Sequence, residues 1–512
     1  MNSDYDTFPA QVYADSVLAP DLDIYKQHFS APLHAINLAH GAMLAEQHLL
    51  QPADSAAILA ALLKIDQDRP WADQEFDGSF EDLFFLIERE LGRQVGEETA
   101  GRLHTGRSRN DMEHTMFRMQ LRARLLRLLD QYGALADRFL ARAEQGIDET
   151  VLLYTHGQPA QVSVLGHYLG AAIEFVLRDM TRLMAALEDV NKCPMGAAAI
   201  TTSGFDLDRD RVAALLGFSG IVENSYGAIA NVDYITGSYS AIRLGCIHLG
   251  RLVQDLVTWT GFEVSQIDVA DGFVQISSIM PQKRNPVPLE HLRLKLSLAG
   301  GGADQIVQTM HNTPFADMND SERETQAAGF EVFDRLDHAL PLLASFVEAM
   351  KTNQPSINQR IQKSMATITE LADTIVRTEE IAFRPAHHVA SKLARAALSN
   401  GMGFDELPWD LFEQTFEEVT GRKPVMDKSL EVTGRKPVMD KTLLTRATSP
   451  QNFVAVREMA GGPGPGALRR SLDSYANRLA GLTAGMDDIQ KRITQADEAR
   501  AHVVSGLIAG ET

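Results

Sequence analysis

The sequence is poor in cysteine and has no long apolar run, and each absence excludes a class of protein. Its two cysteines, Cys193 and Cys246, do not indicate a disulfide framework, so a reducing compartment fits. No apolar stretch reaches the roughly 18 residues of a membrane-spanning helix. The N-terminus, MNSDYDTFPAQ, is acidic and lacks the apolar segment of a signal peptide. We therefore expect a cytoplasmic protein with no membrane partner.

Several catalytic motifs are absent as well. The chain has neither the HExxH nor the paired CxxC spacing of zinc sites, and it lacks a P-loop, a GxGxxG after a strand and a GxSxG elbow. A metal site is therefore not expected, and hydride transfer, nucleotide hydrolysis and serine hydrolysis lack support. Acidic residues outnumber basic ones, 68 to 48, and the formal charge is −20. Such a surface repels phosphate backbones, so no nucleic-acid partner is expected.

The central part of the chain has the pattern of long helices. Three runs of apolar residues are spaced alternately four and three residues apart, as in helices packed side by side. No stretch shows strand alternation of comparable strength, so an all-α fold with a central bundle of long helices is predicted. The runs are Leu121, Leu125, Leu128, Tyr132, Leu135, Phe139; Leu169, Ile173, Val176, Met180, Leu183, Leu187; and Ile242, Cys246, Leu249, Val253, Leu256.

Three domains are predicted, at residues 1–112, 113–366 and 367–512. The first has shorter helical segments, and the last contains a loop rich in Gly and Pro at 461–466. It also contains a tandem duplication at 418–443, in which EVTGRKPVMDKSL is followed by EVTGRKPVMDKTL. We interpret the repeat as a tolerated surface duplication or an error in the recorded sequence, and a new binding hairpin is the alternative.

One polar cluster, TGRSRND at 105–111, precedes a long helical pattern. Guanidinium groups and helix N-termini both favour carboxylates or phosphates, so the cluster can bind an anion. The alternative is that Asn110 or Asp111 caps the helix and the arginines are solvated.

A second cluster, THGQPAQ at 155–161, is predicted to lie at the start of a helix. Its histidine, His156, can transfer a proton near neutral pH, although a structural role is the alternative.

The third cluster, SSIMPQKRNP at 277–286, offers two hydroxyls, a cation and an amide on a segment that its two prolines keep from forming a regular helix. Such a loop can close over a substrate, or it can be an ordinary polar surface loop.

Together the three clusters resemble the fumarase/aspartase superfamily. SSIMPQKRNP is similar to the superfamily signature GSSxMPxKxNP, and LHTGRSRND at 103–111 matches the block of the argininosuccinate lyase branch almost letter for letter. YTHGQPAQ at 154–161 resembles that branch's YTHLQRAQ. The resemblance implies a three-domain subunit, a homotetramer with a twenty-helix core, and active sites that each collect the motifs from three subunits. It also implies cleavage of an N-substituted aspartate into fumarate and an amine without a cofactor.

The resemblance also implies roles for individual residues. Ser278 would be the general base, and Lys283 and Asn285 would stabilise the carboxylate that gains charge. The remaining assignments are that Arg109, Asn110 and Thr155 hold the succinyl carboxylates, His156 delivers a proton or binds a carboxylate, Gln158 orients the substrate, and Ser277 and Met280 contact it.

The sequence departs from the branch where the amine half of the substrate would bind. Asp317 stands where the family segment has Tyr, Glu322 where it has Gln, and no Lys occupies the family position. Val287 replaces the Asp after the signature, and Ile276 replaces the Gly before its serines. These changes favour a more cationic amine than arginine.

Several functions therefore stay open. Cleavage of ethylenediamine-N,N'-disuccinate and true argininosuccinate cleavage are both compatible with the motifs, whereas adenylosuccinate fits them less well. A structural role without turnover, as in lens proteins recruited from this branch, is the alternative outside enzymology.

The duplication gives a first prediction. Deleting residues 431–443 should leave activity within a few-fold, because the repeat is polar and distant in sequence from the three motifs. Steady-state rates of the deleted and full-length proteins measure this, and a large loss would mean that the segment reaches the site or a subunit interface.

Overall fold

Helices make up most of the computed structural model, which describes residues 7–425 and 439–510. This confirms the all-α prediction. The middle of the duplicated segment, residues 426–438, lies outside the described residues. No helix within the described ranges is both long enough and apolar enough to cross a membrane.

The N-terminal region consists of short and medium helices. A segment from Gln11 to Phe29 alternates α turns with two π turns. The carboxylate of Asp82 then caps the fifth helix by accepting a hydrogen bond from the Phe85 N–H at 3.2 Å. The helices are α1 (Gln11–Tyr13), α2 (Ala19–Ile24), α3 (Ser30–Glu46), α4 (Pro52–Asp68), α5 (Leu83–Val95) and α6 (Glu97–Arg102), with π turns at Ala14–Leu18 and Tyr25–Phe29.

Five long helices form a closed ring at the centre. Each of these helices packs against the next one along the chain, and the fifth packs against the first. All residues of the three predicted apolar runs are buried in this ring, so burial of these faces holds the bundle together. The long helices are α7 (Arg109–Gln145), α8 (Leu165–Val190), α11 (Asp233–Thr260), α12 (Val287–Thr309) and α13 (Arg323–Ala349), with the short α9 (Arg209–Leu215) and α10 (Ser225–Ala230) between them.

The C-terminal region has a small apolar core of its own and a long final helix. Met439 is buried in that core, and Asp440 caps the helix that follows by accepting from the Leu443 N–H at 2.8 Å. The final helix packs against α7 and α8 of the ring. The division at residues 112 and 366 stays a prediction. The helices are α14 (Gln354–Ser364), α15 (Ile368–Glu379), α16 (Phe383–Ser399), α17 (Trp409–Thr420), α18 (Lys441–Ala447), α19 (Pro450–Ala455) and α20 (Pro465–Ala509).

A β-hairpin occupies the place where the sequence predicted the start of a helix, so that prediction was wrong. Strands β1 (Thr150–Thr155) and β2 (Gln158–Val164) pair antiparallel, and α8 begins only at Leu165. The side chain of Gln266 both donates to and accepts from the backbone of Leu152, at 3.0 and 2.8 Å, and so completes the hairpin edge. The other strands are β3 (Ile267–Asp268), β4 (Gln275–Ile276), β5 (Arg284–Asn285) and β6 (Lys351–Thr352).

The side chain of Tyr132 on α7 reaches Gly245 on α11, and this contact gives a stability prediction. A Cβ atom on Gly245 would collide with the hydroxyl of the fully buried Tyr132. We expect Gly245→Ala to destabilise the protein by about 1–3 kcal/mol through overpacking. Gly237→Ala is the matched control on the same helix, because no atom lies within 4 Å of its added Cβ. It should be neutral or stabilising by about 0.5–1 kcal/mol. Denaturant unfolding of both variants measures the difference, and equal stabilities would contradict the packing argument.

Candidate active site

A pocket of about 300 Å³ lies at the N-terminal end of α7 and brings four predicted site residues together. Arg109 and Asn110 enter it from the first turn of α7, and Asp317 and Glu322 enter it from the segment before α13. We call it the acidic pocket, because five further carboxylates and one further arginine also line it. Its remaining lining residues are Tyr13, Val17, Leu18, Asp21, Glu81, Asp82, Glu113, Asn319, Arg323 and Glu324.

The start of α7 is held by a buried carboxylate. Asp111 accepts hydrogen bonds from the backbone N–H of Ser108, Gly196 and Ala198, each at 2.9 Å. Burial raises the pKa of Asp111 to about 6, although these backbone hydrogen bonds oppose the shift. The capping box that Ser108 and Asp111 form fixes the direction in which the next residues, Arg109 and Asn110, leave the helix.

The charge of Arg109 is balanced by two carboxylates. Its Nη1 donates to Glu81 at 3.1 Å and to Asp82 at 2.9 Å, and its guanidinium lies over the ring of Phe85 at 5.1 Å. Within the described residues its hydrogen bonds use Nη1 alone, so Nε and Nη2 are free to bind a substrate carboxylate. The amide of Asn110 donates weakly to the Ala199 carbonyl at 3.4 Å.

The second arginine of the pocket, Arg323, is paired in the same way. Its Nε donates to Asp21 at 2.8 Å, and its Nη1 forms an ion pair with Glu113. Burial raises the pKa of Glu113 to about 8, and the charge of Arg323 opposes this shift. The guanidinium of Arg323 also lies 4.9 Å from the ring centre of Tyr25, which packs against this network.

A buried histidine contacts the carboxylate of Asp317 from the protein interior. His114 contacts the Asp317 carboxylate through Nε2 at 3.4 Å and the Tyr234 hydroxyl through Nδ1 at 3.3 Å. Glu322, just before α13, lies close to the same group. Burial raises the pKa of Glu322, Arg323 lowers it, and Asp317 raises it again.

The sequence analysis did not single out Asp21, Glu81, Asp82, Glu113 or His114. For two of them, Glu113 and His114, the spacing in the sequence did give a signal. Glu113 lies four residues after Arg109 and His114 four residues after Asn110, so all four share one face of α7. The remaining three come from segments distant in sequence, and no local pattern connects them with the TGRSRND cluster.

The hairpin presents the second cluster at its turn. Thr155 pairs with Gln158, and the two turn residues, His156 and Gly157, have φ values of 53° and 72°. Two successive positive φ values are typical of the tight turns that match the twist of a hairpin. Thr155, His156 and Gln158 are all exposed within the subunit.

The third cluster forms an exposed loop with a fixed base, which we call the serine loop (residues 277–286). Its base is the pairing of β4 with β5, where the Asn285 amide donates to the Gln275 carbonyl at 3.1 Å. The Ser277 hydroxyl accepts from the Met280 N–H at 3.0 Å and shapes the tip. Ser278, Met280 and Lys283 are exposed. The strand pairing at the base and the hydrogen bond at the tip therefore fix the backbone of the loop, and these three side chains face solvent within the subunit.

The predicted site residues thus fall into two groups within one subunit. The acidic pocket lies at the N-terminal end of α7, whereas the hairpin starts just beyond its C-terminal end. The segment before the serine loop lies at this same end, because Phe273 packs against Phe346 in the last turn of α13 and Arg142 in the last turn of α7 donates to the Met350 carbonyl that follows α13. Helix α7 has 37 residues, which at a rise of 1.5 Å each corresponds to about 55 Å.

Comparison with protein families and curated proteins gives consistent matches. Residues 24–301 match the family described as Lyase, and residues 365–454 match the family described as Argininosuccinate lyase C-terminal. Argininosuccinate lyase 2 of Agrobacterium fabrum is 44% identical over 482 residues, covering 94% of this chain and 93% of that protein. An argininosuccinate lyase of Methanosarcina acetivorans is 33% identical over 477 residues, covering 93% and 92%.

Solved structures show the same fold. EDDS lyase in complex with formate superposes with a TM-score of 0.82 at 27% identity, covering 96% of each chain. A class II fumarase from Schistosoma mansoni has a TM-score of 0.64 at 15% identity, covering 86% of this chain and 91% of that one, and this likeness concerns the fold alone. The chain is a carbon–nitrogen lyase and belongs to the argininosuccinate lyase branch of the fumarase/aspartase superfamily.

Proposed function

We propose that the protein eliminates an amine from an N-substituted aspartate and releases fumarate. The observation that carries the proposal is the preserved set of motif residues on positioned backbone. Arg109 and Asn110 stand in the acidic pocket, His156 at the hairpin turn, and Ser278 and Lys283 on the serine loop. A purely structural role would require none of these groups.

The reaction removes a weakly acidic proton. A base takes a proton from Cβ of the succinyl group, and the electron pair left behind spreads into the adjacent carboxylate as an aci-carboxylate. That pair then forms the Cα–Cβ double bond while the C–N bond breaks, and the amine leaves with its electrons and takes up a proton. Stabilising the doubly charged intermediate is the main catalytic task, and fixed donors do this best.

The residues divide these tasks by their chemistry. Ser278 takes the proton, and Lys283 stabilises the carboxylate that gains charge. A serine hydroxyl is a poor base near pH 7 and needs nearby positive charge to lose its proton. Lys283 can supply this charge, whereas Arg284 on the same loop donates to Asp271 at 2.7 Å.

The other groups bind or orient the substrate. Thr155, Arg109 and Asn110 hold the succinyl carboxylates, His156 delivers a proton or binds a carboxylate, and Gln158 orients the substrate. Ser277 and Met280 contact it from the serine loop, and Asn285 acts with Lys283 to stabilise the carboxylate that gains charge. One N–H of the Asn285 amide donates to the Gln275 carbonyl, which leaves the second N–H for this role.

The same geometry supports a homotetramer with shared active sites. The acidic pocket and the serine loop stand at opposite ends of a bundle about 55 Å long, so one subunit cannot bring both groups to one substrate. The five ring helices of each subunit also match a core of twenty helices in a tetramer. Neighbouring subunits would complete each site.

Two physiological settings are compatible with this chemistry. Cleavage of argininosuccinate would place the protein in arginine synthesis, and cleavage of another aspartate adduct would place it elsewhere. We also propose a cytoplasmic location, since Cys193 and Cys246 are free and buried, as expected of a reducing compartment.

The role of Ser278 can be tested directly. Ser278→Ala should lower turnover by about 10²-fold or more, because it removes the general base. Gln282→Ala, an exposed neighbour on the same loop without an assigned role, is the control and should stay within a few-fold of wild type. Fumarate release is followed by its ultraviolet absorbance, and assembly by size-exclusion chromatography. A Ser278→Ala variant with the wild-type rate would mean that the base is another residue.

Shared sites predict complementation between inactive variants. Arg109→Ala and Ser278→Ala, co-expressed in one cell, should give mixed assemblies that release fumarate although each variant alone is nearly inactive. In such an assembly some sites receive an intact pocket from one subunit and an intact serine loop from another. The matched control pairs Ser278→Ala with Lys283→Ala. Both changes lie on one loop, so no site escapes damage and activity should not return. Equal activity in both pairings would contradict shared sites.

A further inference from the structure

We propose that Asp317 and Glu322 select an amine half that carries a positive charge and no carboxylate. This inference rests on the proposed function, since it names the class of amine that the lyase releases. The substrate class is an aspartate whose nitrogen bears an alkyl or amidine substituent that ends in an ammonium or guanidinium group and carries no carboxylate. Argininosuccinate lies outside this class because its amine half, arginine, has an α-carboxylate.

The first support is the charge balance of the acidic pocket. Each of its two guanidinium groups is already paired with two carboxylates, Arg109 with Glu81 and Asp82, and Arg323 with Asp21 and Glu113. The remaining N–H groups of Arg109 are assigned to a succinyl carboxylate, so neither arginine offers positive charge to a further carboxylate on the amine half. No other lysine or arginine lines the pocket within the described residues.

The second support is that three carboxylates are left over. Asp317, Glu322 and Glu324 line the same cavity and form no ion pair with a lysine or arginine in the described part of the chain. Burial is the main cause of the raised pKa of Glu322; the charge of Arg323 lowers this pKa, and the neighbouring Asp317 carboxylate raises it further. An ammonium group entering here would relieve the repulsion, whereas a carboxylate would add to it.

The third support is that Asp317 is positioned from within the bundle. Its partner His114 is 1% exposed and contacts Tyr234, which is equally buried. The guanidinium of Arg118 lies 4.0 Å from the ring centre of Tyr234. His114 is thus a positioning residue, because it contacts the Asp317 carboxylate at the cavity wall and does not itself line the cavity.

The N-terminal segment gives the cavity apolar surface that suits the alkyl part of a cationic amine. Tyr13, Val17 and Leu18 add apolar surface to one wall of the cavity, and Asp21 of the same segment pairs with Arg323. Apolar surface beside surplus carboxylates suits methylene groups that end in a cation. A cavity of about 300 Å³ has room for a chain of a few methylene groups.

A matched pair of substrates tests the inference. Argininosuccinate and its decarboxylated analogue share the succinyl half and the scissile C–N bond, and they differ only in the α-carboxylate of the amine half. We expect kcat/KM for fumarate release to be at least tenfold higher for the decarboxylated analogue. A value for argininosuccinate that equals or exceeds it would overturn the inference and leave the proposed function intact. Fumarate release from neither substrate, nor from an N-(aminoalkyl)aspartate, would overturn both.

Variants then test whether the two named carboxylates cause the preference. Glu322→Gln and Asp317→Asn should each lower the ratio of the two kcat/KM values several-fold, mainly through the KM of the decarboxylated analogue. Asp320→Asn removes an exposed carboxylate from the same segment outside the pocket lining and should leave the ratio unchanged. Partial unfolding of a variant lowers both rates equally, so the ratio stays informative. Unchanged ratios in both pocket variants would overturn the assignment.

His114→Phe separates positioning from packing. The ring is retained but the contact to Asp317 is lost, so the substrate ratio should fall as in Asp317→Asn while kcat for argininosuccinate changes little. A variant that loses both activities in proportion would mean that His114 serves stability alone.

Discussion

The closed ring of five long helices is the constraint from which the rest of the structure follows. The apolar faces of α7, α8, α11, α12 and α13 are buried against one another, and at about 25 cal/mol per Å² such burial is the largest favourable contribution to folding. Because the ring is long and tightly packed, its two ends are separated by a rigid distance. Loops and termini that carry polar chemistry can stand only at those ends.

The N-terminal end of α7 carries buried carboxylates whose cost of burial the surrounding structure has to offset. A carboxylate such as Asp111 or Glu113 is costly to bury, and it is tolerated because backbone N–H groups or arginines lie against it. Asp111 bonds to three backbone N–H groups and thereby ties the first turn of α7 to the segment around Gly196. The same hydrogen bonds that compensate for burial also fix the direction of Arg109 and Asn110.

The sequence predicted the helical bundle but only part of the acidic pocket. Helix seams are local and periodic, so runs such as Leu121 to Phe139 predicted buried faces that the structure has. The hairpin at Thr150–Val164 was missed because its support, the side chain of Gln266, comes from a segment more than a hundred residues away. Pocket partners such as Asp21 and Arg323 meet only through the tertiary fold, and no spacing in the sequence records that contact.

The length of α7 has a consequence for how the protein tolerates change. Substitutions separated by more than about 10 Å and sharing no partner add independently in their effect on folding free energy. Within one subunit, changes in the acidic pocket and changes in the serine loop meet this condition, so their effects on folding free energy should add. Their effects on turnover should not add, because in a shared site the pocket of one subunit and the serine loop of another contact the same substrate. A change of leaving group can therefore leave the stability of the scaffold untouched and still alter the demands on the proton transfer.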